Sequence, residues 1–167
     1  MQSTSNAASP ATNDVFISRT VNFPRELVFR IWTDPEHLPK WFAPNDCSIH
    51  FIKLDIRPGG HFHSCIHTPD GKDCWCVGEY LDITSPEKIV YNIALADEHG
   101  IRRTAAQAGM DPEWPDETLV TVSFHALATG KTEITIHQAA PENIARRTGA
   151  YPSWLQMLDR MEAALGA

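Results

Sequence analysis

The chain has 167 residues, of which 43% are hydrophobic and 21% charged, and a formal net charge of −7. That balance excludes wholesale disorder, and the length suits one domain with a single core that needs no staples. Acids outnumber bases 21 to 14 and no basic cluster exceeds Arg102-Arg103 or Arg146-Arg147, so neither a nucleic acid nor an anionic membrane is expected as a partner.

Residues 1–13 are small, polar and unpatterned, and read as a disordered tail before a domain over 14–167. The tail has no basic residue and no apolar run, so no signal or transit peptide is expected. No apolar stretch nears the ~20 residues that span a bilayer. The expected location is cytoplasmic, where Cys47, Cys65, Cys74 and Cys76 would stay reduced.

Val15–Val21 is rich in β-formers and predicts a strand. Phe23-Pro24 opens a helix, with Leu27, Val28, Ile31 and Trp32 at helical spacing. Asp34-Pro35 predicts the cap and first position of a second, short helix that carries Leu38, Trp41 and Phe42. Strand-like runs follow at 47–56, 61–67, 74–83, 88–96, 117–126 and 131–138. The separators are turn chemistry such as Arg57-Pro-Gly-Gly60 and Thr68-Pro-Asp-Gly71. Links this short favour antiparallel meander pairing. The exception is the stretch 97–116, too long for a plain turn. Residues 141–148 form a helical piece before Gly149. Trp154, Leu158, Met161 and Leu165 then mark a terminal helix, flanked by Leu155 and Met157.

An antiparallel sheet of six to seven strands needs its apolar face covered, and the last helix is the only long one available. The economical arrangement is an α+β fold: a curved sheet wrapped around that helix, with the two short helices after the first strand closing one end. Gly59-Gly60 and Gly78 are expected where the sheet bends.

Several runs resemble signatures of the START-like, or SRPBCC, superfamily: Trp32-Thr-Asp-Pro-Glu-His-Leu-Pro-Lys-Trp-Phe42, Asp55-Ile-Arg-Pro-Gly-Gly60, Pro69-Asp-Gly71, Gly78-Glu-Tyr80 with Ser85-Pro-Glu-Lys-Ile-Val-Tyr91, and Trp154-Leu-Gln-Met-Leu-Asp159. They are most similar to the branch related to the C-terminal domain of the heat-shock-protein-90 ATPase activator. The resemblance covers residues 15–165. It implies the helix-grip fold of the birch pollen allergen and a cavity between sheet and terminal helix, often used for apolar small molecules. It does not imply one activity, so function is argued from the site.

His61, His63, Cys65 and His67 alternate onto one strand face, and Cys74 and Cys76 follow. Histidine and thiolate are zinc ligands. A two- or four-residue loop would set His67 opposite Cys74 and Cys65 opposite Cys76, giving four ligands. Thr68-Pro-Asp-Gly71 better suits a type I turn with a left-handed glycine. That register sets Thr68 opposite Lys72 and moves Cys74 and Cys76 to the face of Phe62, Ser64 and Ile66. The histidine stripe then faces solvent, and no metal site is expected.

In that favoured register Cys74, Cys76 and Gly78 leave room on the concave face. Phe62, Ile66, Tyr80 and Tyr91 border it. Trp154, Leu158 and Met161 look down on it from the helix. Trp41, Phe42 and Trp114 sit near an entrance. The expected function is binding of an apolar or aromatic small molecule, oriented by Tyr80 and Tyr91. The alternatives are a chaperone-ATPase modulator and a cyclase- or hydratase-type enzyme, with Tyr80 and His137 as residues to test.

No catalytic constellation is assigned. Ser123 and His125 lack an acidic partner, Glu79 and Asp82 point to opposite faces, and Arg57 is expected to brace a turn. No cofactor is expected, since no phosphate-cradling loop is present. Self-association through edge strands is a further expectation.

Overall fold

Strand formation follows the alternation in the sequence closely. In the computed structural model, which describes residues 13–167, seven strands form one antiparallel sheet: β1 (Asp14–Val21), β2 (Ser48–Leu54), β3 (His61–His67), β4 (Asp73–Thr84), β5 (Lys88–Leu95), β6 (Glu117–Ala128) and β7 (Lys131–Pro141). Their order is β1-β7-β6-β5-β4-β3-β2, so β2 to β7 run as a meander and β1 closes against β7. The expected tail lies almost wholly outside the described residues.

Inner-face residues are large and apolar: Val15 and Ile17 on β1, Ile134 and Ile136 on β7, Val120, Val122 and Phe124 on β6 are all buried. The helices α1 (Arg25–Thr33), α2 (Glu142–Thr148) and α3 (Ala150–Leu165) complete the fold. The α3 stripe of Trp154, Met157, Leu158, Met161 and Leu165 is buried against the sheet. Leu155 faces outward, 37% exposed. Among the described residues, no helix is long and apolar enough to cross a membrane.

The sheet bends at places the sequence does not advertise. Register slips occur between Phe51 and Lys53, Tyr80 and Asp82, and Ala126 and Ala128. The skipped residues, Ile52, Leu81 and Leu127, are turned outward at 50%, 45% and 53% exposure. Each is the extra residue of a β-bulge, which bends its strand. Gly78 is not a bend site: it pairs in regular register with Phe62 and Ile93. Gly59 and Gly60 instead sit in the turn before β3, where Gly59 N–H donates to Tyr80 O at 2.7 Å. A Cβ on Gly60 would lie 2.0 Å from Asp55 O, so only glycine fits that turn.

Helix α1 starts after Pro24, whose carbonyl accepts from Leu27 and Val28 N–H. It stops at Asp34, which is extended (φ −93°, ψ 120°) because Pro35 follows. The second short helix shrinks to a 3₁₀ turn, Leu38–Lys40. Asp34 is not its cap: it accepts Glu36 N–H at 2.8 Å in the turn before it, and the N-cap position falls to His37, which makes no side-chain cap. Pro39 has no N–H to extend it.

The segment 97–116 is held by polar side chains, its own and that of Arg147 on α2. Asp97 Oδ1 accepts from His99 and Ile101 N–H, both at 2.9 Å. Arg147 on α2 grips Asp111 at 2.7 Å and also Glu113. The Arg147 hydrogen bond is the first cause holding the Asp111 carboxyl below its ordinary range. Gly149, left-handed at φ 92°, turns the chain from α2 into α3.

Candidate functional site

The hairpin joining β3 and β4 decides which side chains face the interior. Thr68 N–H donates to Lys72 O at 3.1 Å, Gly71 N–H donates to Thr68 O at 3.0 Å, and Gly71 is left-handed at φ 82°. This is the three-residue turn with a glycine bulge. Ile66 therefore pairs with Cys74 and Ser64 with Cys76. Both cysteines lie on the inner face, and the ligand set Cys65, His67, Cys74 and Cys76 is split between two sides of the sheet.

The room expected over Gly78 is taken. A Cβ there would meet Asn92 O at 2.1 Å and the Phe62 ring at 2.3 Å. Phe62 thus lies across Gly78 and forms an aromatic cluster with Tyr80 and Tyr91, with ring centroids 5.7–6.0 Å apart. Burial pushes both phenols well above their ordinary pKa, so they remain neutral hydrogen-bonding groups. Phe42, Phe62, Ile66, Cys76, Tyr80 and Tyr91 line an inner void of about 50 Å³. That is room for a few water molecules.

Four residues expected at the cavity instead fill the core. Trp41 is fully buried and donates its indole N–H to Ile31 O at 3.1 Å, so it guards no entrance. Met161, also fully buried, accepts the Trp32 indole N–H on its sulfur at 3.1 Å. Leu158 is 1% exposed and Trp154 5%. None of these four lines the void, because the α3 stripe packs directly onto the sheet.

Larger open volume lies beyond Ile66, Cys76 and Ile93, which are shared with a cleft of about 340 Å³. Its walls come from β3 to β7, from Met110, Trp114 and Pro115 of the long loop, and from the α2–α3 junction. Trp114 thus lies on the cleft wall. Pro44 forms part of the rim. Arg160 of α3 fixes the segment behind it, donating to the carbonyls of Ala43, Pro44 and Cys47 at 2.6, 3.0 and 3.2 Å.

Two polar groups converge on the cleft that sequence reading missed: Thr118 and Gln138. Both are buried, at 3% and 6% exposure, on inner-face positions of β6 and β7. The available signal was a lone glutamine in the alternating Ile134, Ile136, Gln138 series, where an apolar residue is due. The titratable groups on the wall are the thiols of Cys74 and Cys76. The hydrogen bond between the two thiols pushes Cys76 up, as does its burial, and the same bond lowers Cys74. Among the described residues, no carboxylate or histidine lines this cleft.

The remaining candidates lie elsewhere. His137 faces outward and contacts Asp14 through Nε2 at 3.0 Å. Ser123 and His125 alternate with buried Phe124, which places them on the outer face. Arg57 bridges both oxygens of Asp55 at 2.9–3.0 Å and braces its own turn.

The same architecture recurs in known proteins. A Chromobacterium violaceum protein superposes with a TM-score of 0.75 at 24% identity, over 93% of this chain and 98% of its own. A Staphylococcus epidermidis protein gives 0.76 at 23%, over 95% and 92%, and an Arthrobacter aurescens protein 0.77 at 20%, over 93% and 87%. These likenesses establish the fold. A search of curated proteins gave no match. The family model described as Activator of Hsp90 ATPase homolog 1-like protein matches residues 22–166. With that span and the curved sheet closed on α3, the chain belongs to this family and carries the helix-grip fold of the SRPBCC superfamily.

Proposed function

We propose that this protein binds a small apolar or aromatic molecule in the cleft between the sheet and the α2–α3 junction. The observation that carries the reading is a cleft of about 340 Å³, walled mainly by apolar groups, into which Thr118 and Gln138 converge and which Thr68, Thr148 and Ser153 also line. Ligand sites have this composition: apolar surface for affinity and a few fixed polar groups for orientation. The volume is at the lower end of the range for such sites, roughly 300–1,000 Å³, so the ligand is compact. Tyr80 and Tyr91 lie one layer deeper, and a ligand reaches them only where Ile66, Cys76 and Ile93 open toward the inner void.

The test uses anilinonaphthalene sulfonate as probe and thermal shift against a panel of small aromatic compounds. Saturable enhancement at one site is expected. Met110→Trp, which narrows the cleft from the loop side, should abolish it. Leu81→Ser, which removes an exposed apolar group on the outer face, should leave it intact. No saturable binding, or binding insensitive to Met110→Trp, overturns the proposal.

A further inference from the structure

The register that separates Cys65 and His67 from the inner thiols assembles a different ligand set on the outer face. His67 is paired with Asp73 across the hairpin, and Cys65 with His50 on the other side. His67 Nδ1 lies 2.9 Å from Asp73 Oδ1 and 3.9 Å from Cys65 Sγ. The three donor atoms all fall within 4.8 Å of one another. Cys65 is fully buried, whereas the His67 and Asp73 side chains are 47% and 44% exposed. The thiol is thus covered, and the exposed His67–Asp73 pair lies beside it. The His50 ring lies nearly parallel to that of His67, at 16° and 6.4 Å between centroids, and bounds the open side.

From this arrangement we infer that Cys65, His67 and Asp73 form a binding site for a zinc-like divalent cation on the outer face of the β3–β4 hairpin. Three arguments carry it. The donor set is one sulfur, one imidazole nitrogen and one carboxylate, the chemistry that selects zinc and its borderline neighbours over magnesium or calcium. Tetrahedral zinc with bonds of about 2.0–2.3 Å holds such donors roughly 3.3–3.6 Å apart. The two separations to His67 Nδ1 bracket that range and the third lies within 4.8 Å, so side-chain rotation is what would close the triangle. Finally, the ligands are supplied by backbone already fixed: Cys65 and His67 are alternate residues of one strand, and Asp73 is set opposite by the turn at Gly71. Entry of the cation replaces the His67–Asp73 hydrogen bond, and the thiol proton leaves to solvent. The fourth position points outward, beside His50, and takes water. This site is on the opposite face from the proposed ligand cleft and does not rest on it.

The experiment is titration of the full, metal-free chain with Zn²⁺ against a chromophoric chelator, and with Co²⁺ followed by its thiolate-to-metal absorption. One equivalent and a thiolate band are expected. Cys65→Ser should remove the band. His67→Ala and Asp73→Asn should each weaken zinc at least about tenfold. The double variant Cys74→Ser, Cys76→Ser should retain both band and stoichiometry. Circular dichroism checks the fold of each variant. Asp73→Asn alters only a half-exposed strand end, so it keeps the test valid should Cys65→Ser not fold. A band that survives Cys65→Ser but is lost with the inner pair overturns the inference. So does the absence of one-to-one binding, or uptake by exposed histidines that His67→Ala and Asp73→Asn leave unchanged.

Discussion

Gln138 serves two buried partners: its Oε1 accepts the Trp154 indole N–H at 2.9 Å, and its Nε2 donates to Thr118 Oγ1 at 3.0 Å. The pair ties α3 to the sheet at the floor of the cleft. Gln138→Leu keeps the volume but strands the indole N–H and the hydroxyl. Leaving a buried polar group unpaired costs about 1–3 kcal/mol. Urea unfolding should show a loss of that size, with an unchanged slope.

Gly78 and Phe62 make a second test of packing. Gly78→Ala would put a Cβ 2.3 Å from the Phe62 ring and 2.1 Å from Asn92 O. The backbone oxygen cannot yield as a side chain would. Overpacking of this kind costs about 1–3 kcal/mol, so a clear fall in Tm is expected. Pairing it with Phe62→Leu should recover only the part due to the ring, leaving the Asn92 clash.

Arg147 holds the long loop through exposed ion pairs with Asp111 and Glu113. Exposed pairs contribute little to global stability, so Arg147→Ala should leave Tm nearly unchanged. Hydrogen exchange over 108–116 should accelerate. Acid should do the same. A carboxyl depressed in the folded state, as Asp111 is, stabilises above its unfolded value of about 3.9. That contribution is lost as pH falls through the lower folded value. Loop exchange, corrected for intrinsic rate, should therefore rise only under strongly acidic conditions.

The four thiols should differ in reactivity. Cys74 is half-buried and lowered by the hydrogen bond from Cys76, which is itself pushed well up. Burial, aided by the neighbouring Asp73, raises Cys65 to about 11. Cys47 is raised by burial and by Asp46. Thiolate is the reactive form, so iodoacetamide at neutral pH should modify Cys74 first and Cys65 among the slowest. Peptide mass spectrometry at short times checks the order.

Much of the architecture was legible because it is written locally. Alternation marks the strands, and Thr68-Pro-Asp-Gly71 sets the hairpin register by its own turn chemistry. The C-terminal stripe names its own buried face. What was not legible depends on neighbours far apart in sequence. Trp41 looks like a rim residue until Ile31 and Trp32 enclose it. Gly78 looks like empty space until Phe62 lies over it. Bulges at Ile52, Leu81 and Leu127 carry no composition signal, since each residue is an ordinary strand former. Asp73 and His50 gain meaning only once two cross-strand pairings place them beside His67 and Cys65. Thr118 and Gln138 required knowing which end of the sheet stays open.

The turn at Gly71 has a consequence for how this protein tolerates change. Between Cys65 and Cys74 the chain is one layer thick, with Cys65, His67 and Asp73 on its outer side and Ile66 and Cys74 on its inner side. Loss or gain of a single residue in that turn would trade the two sides of the following strand. Indels here should be far more damaging than substitutions, an asymmetry that a deletion scan would expose at once.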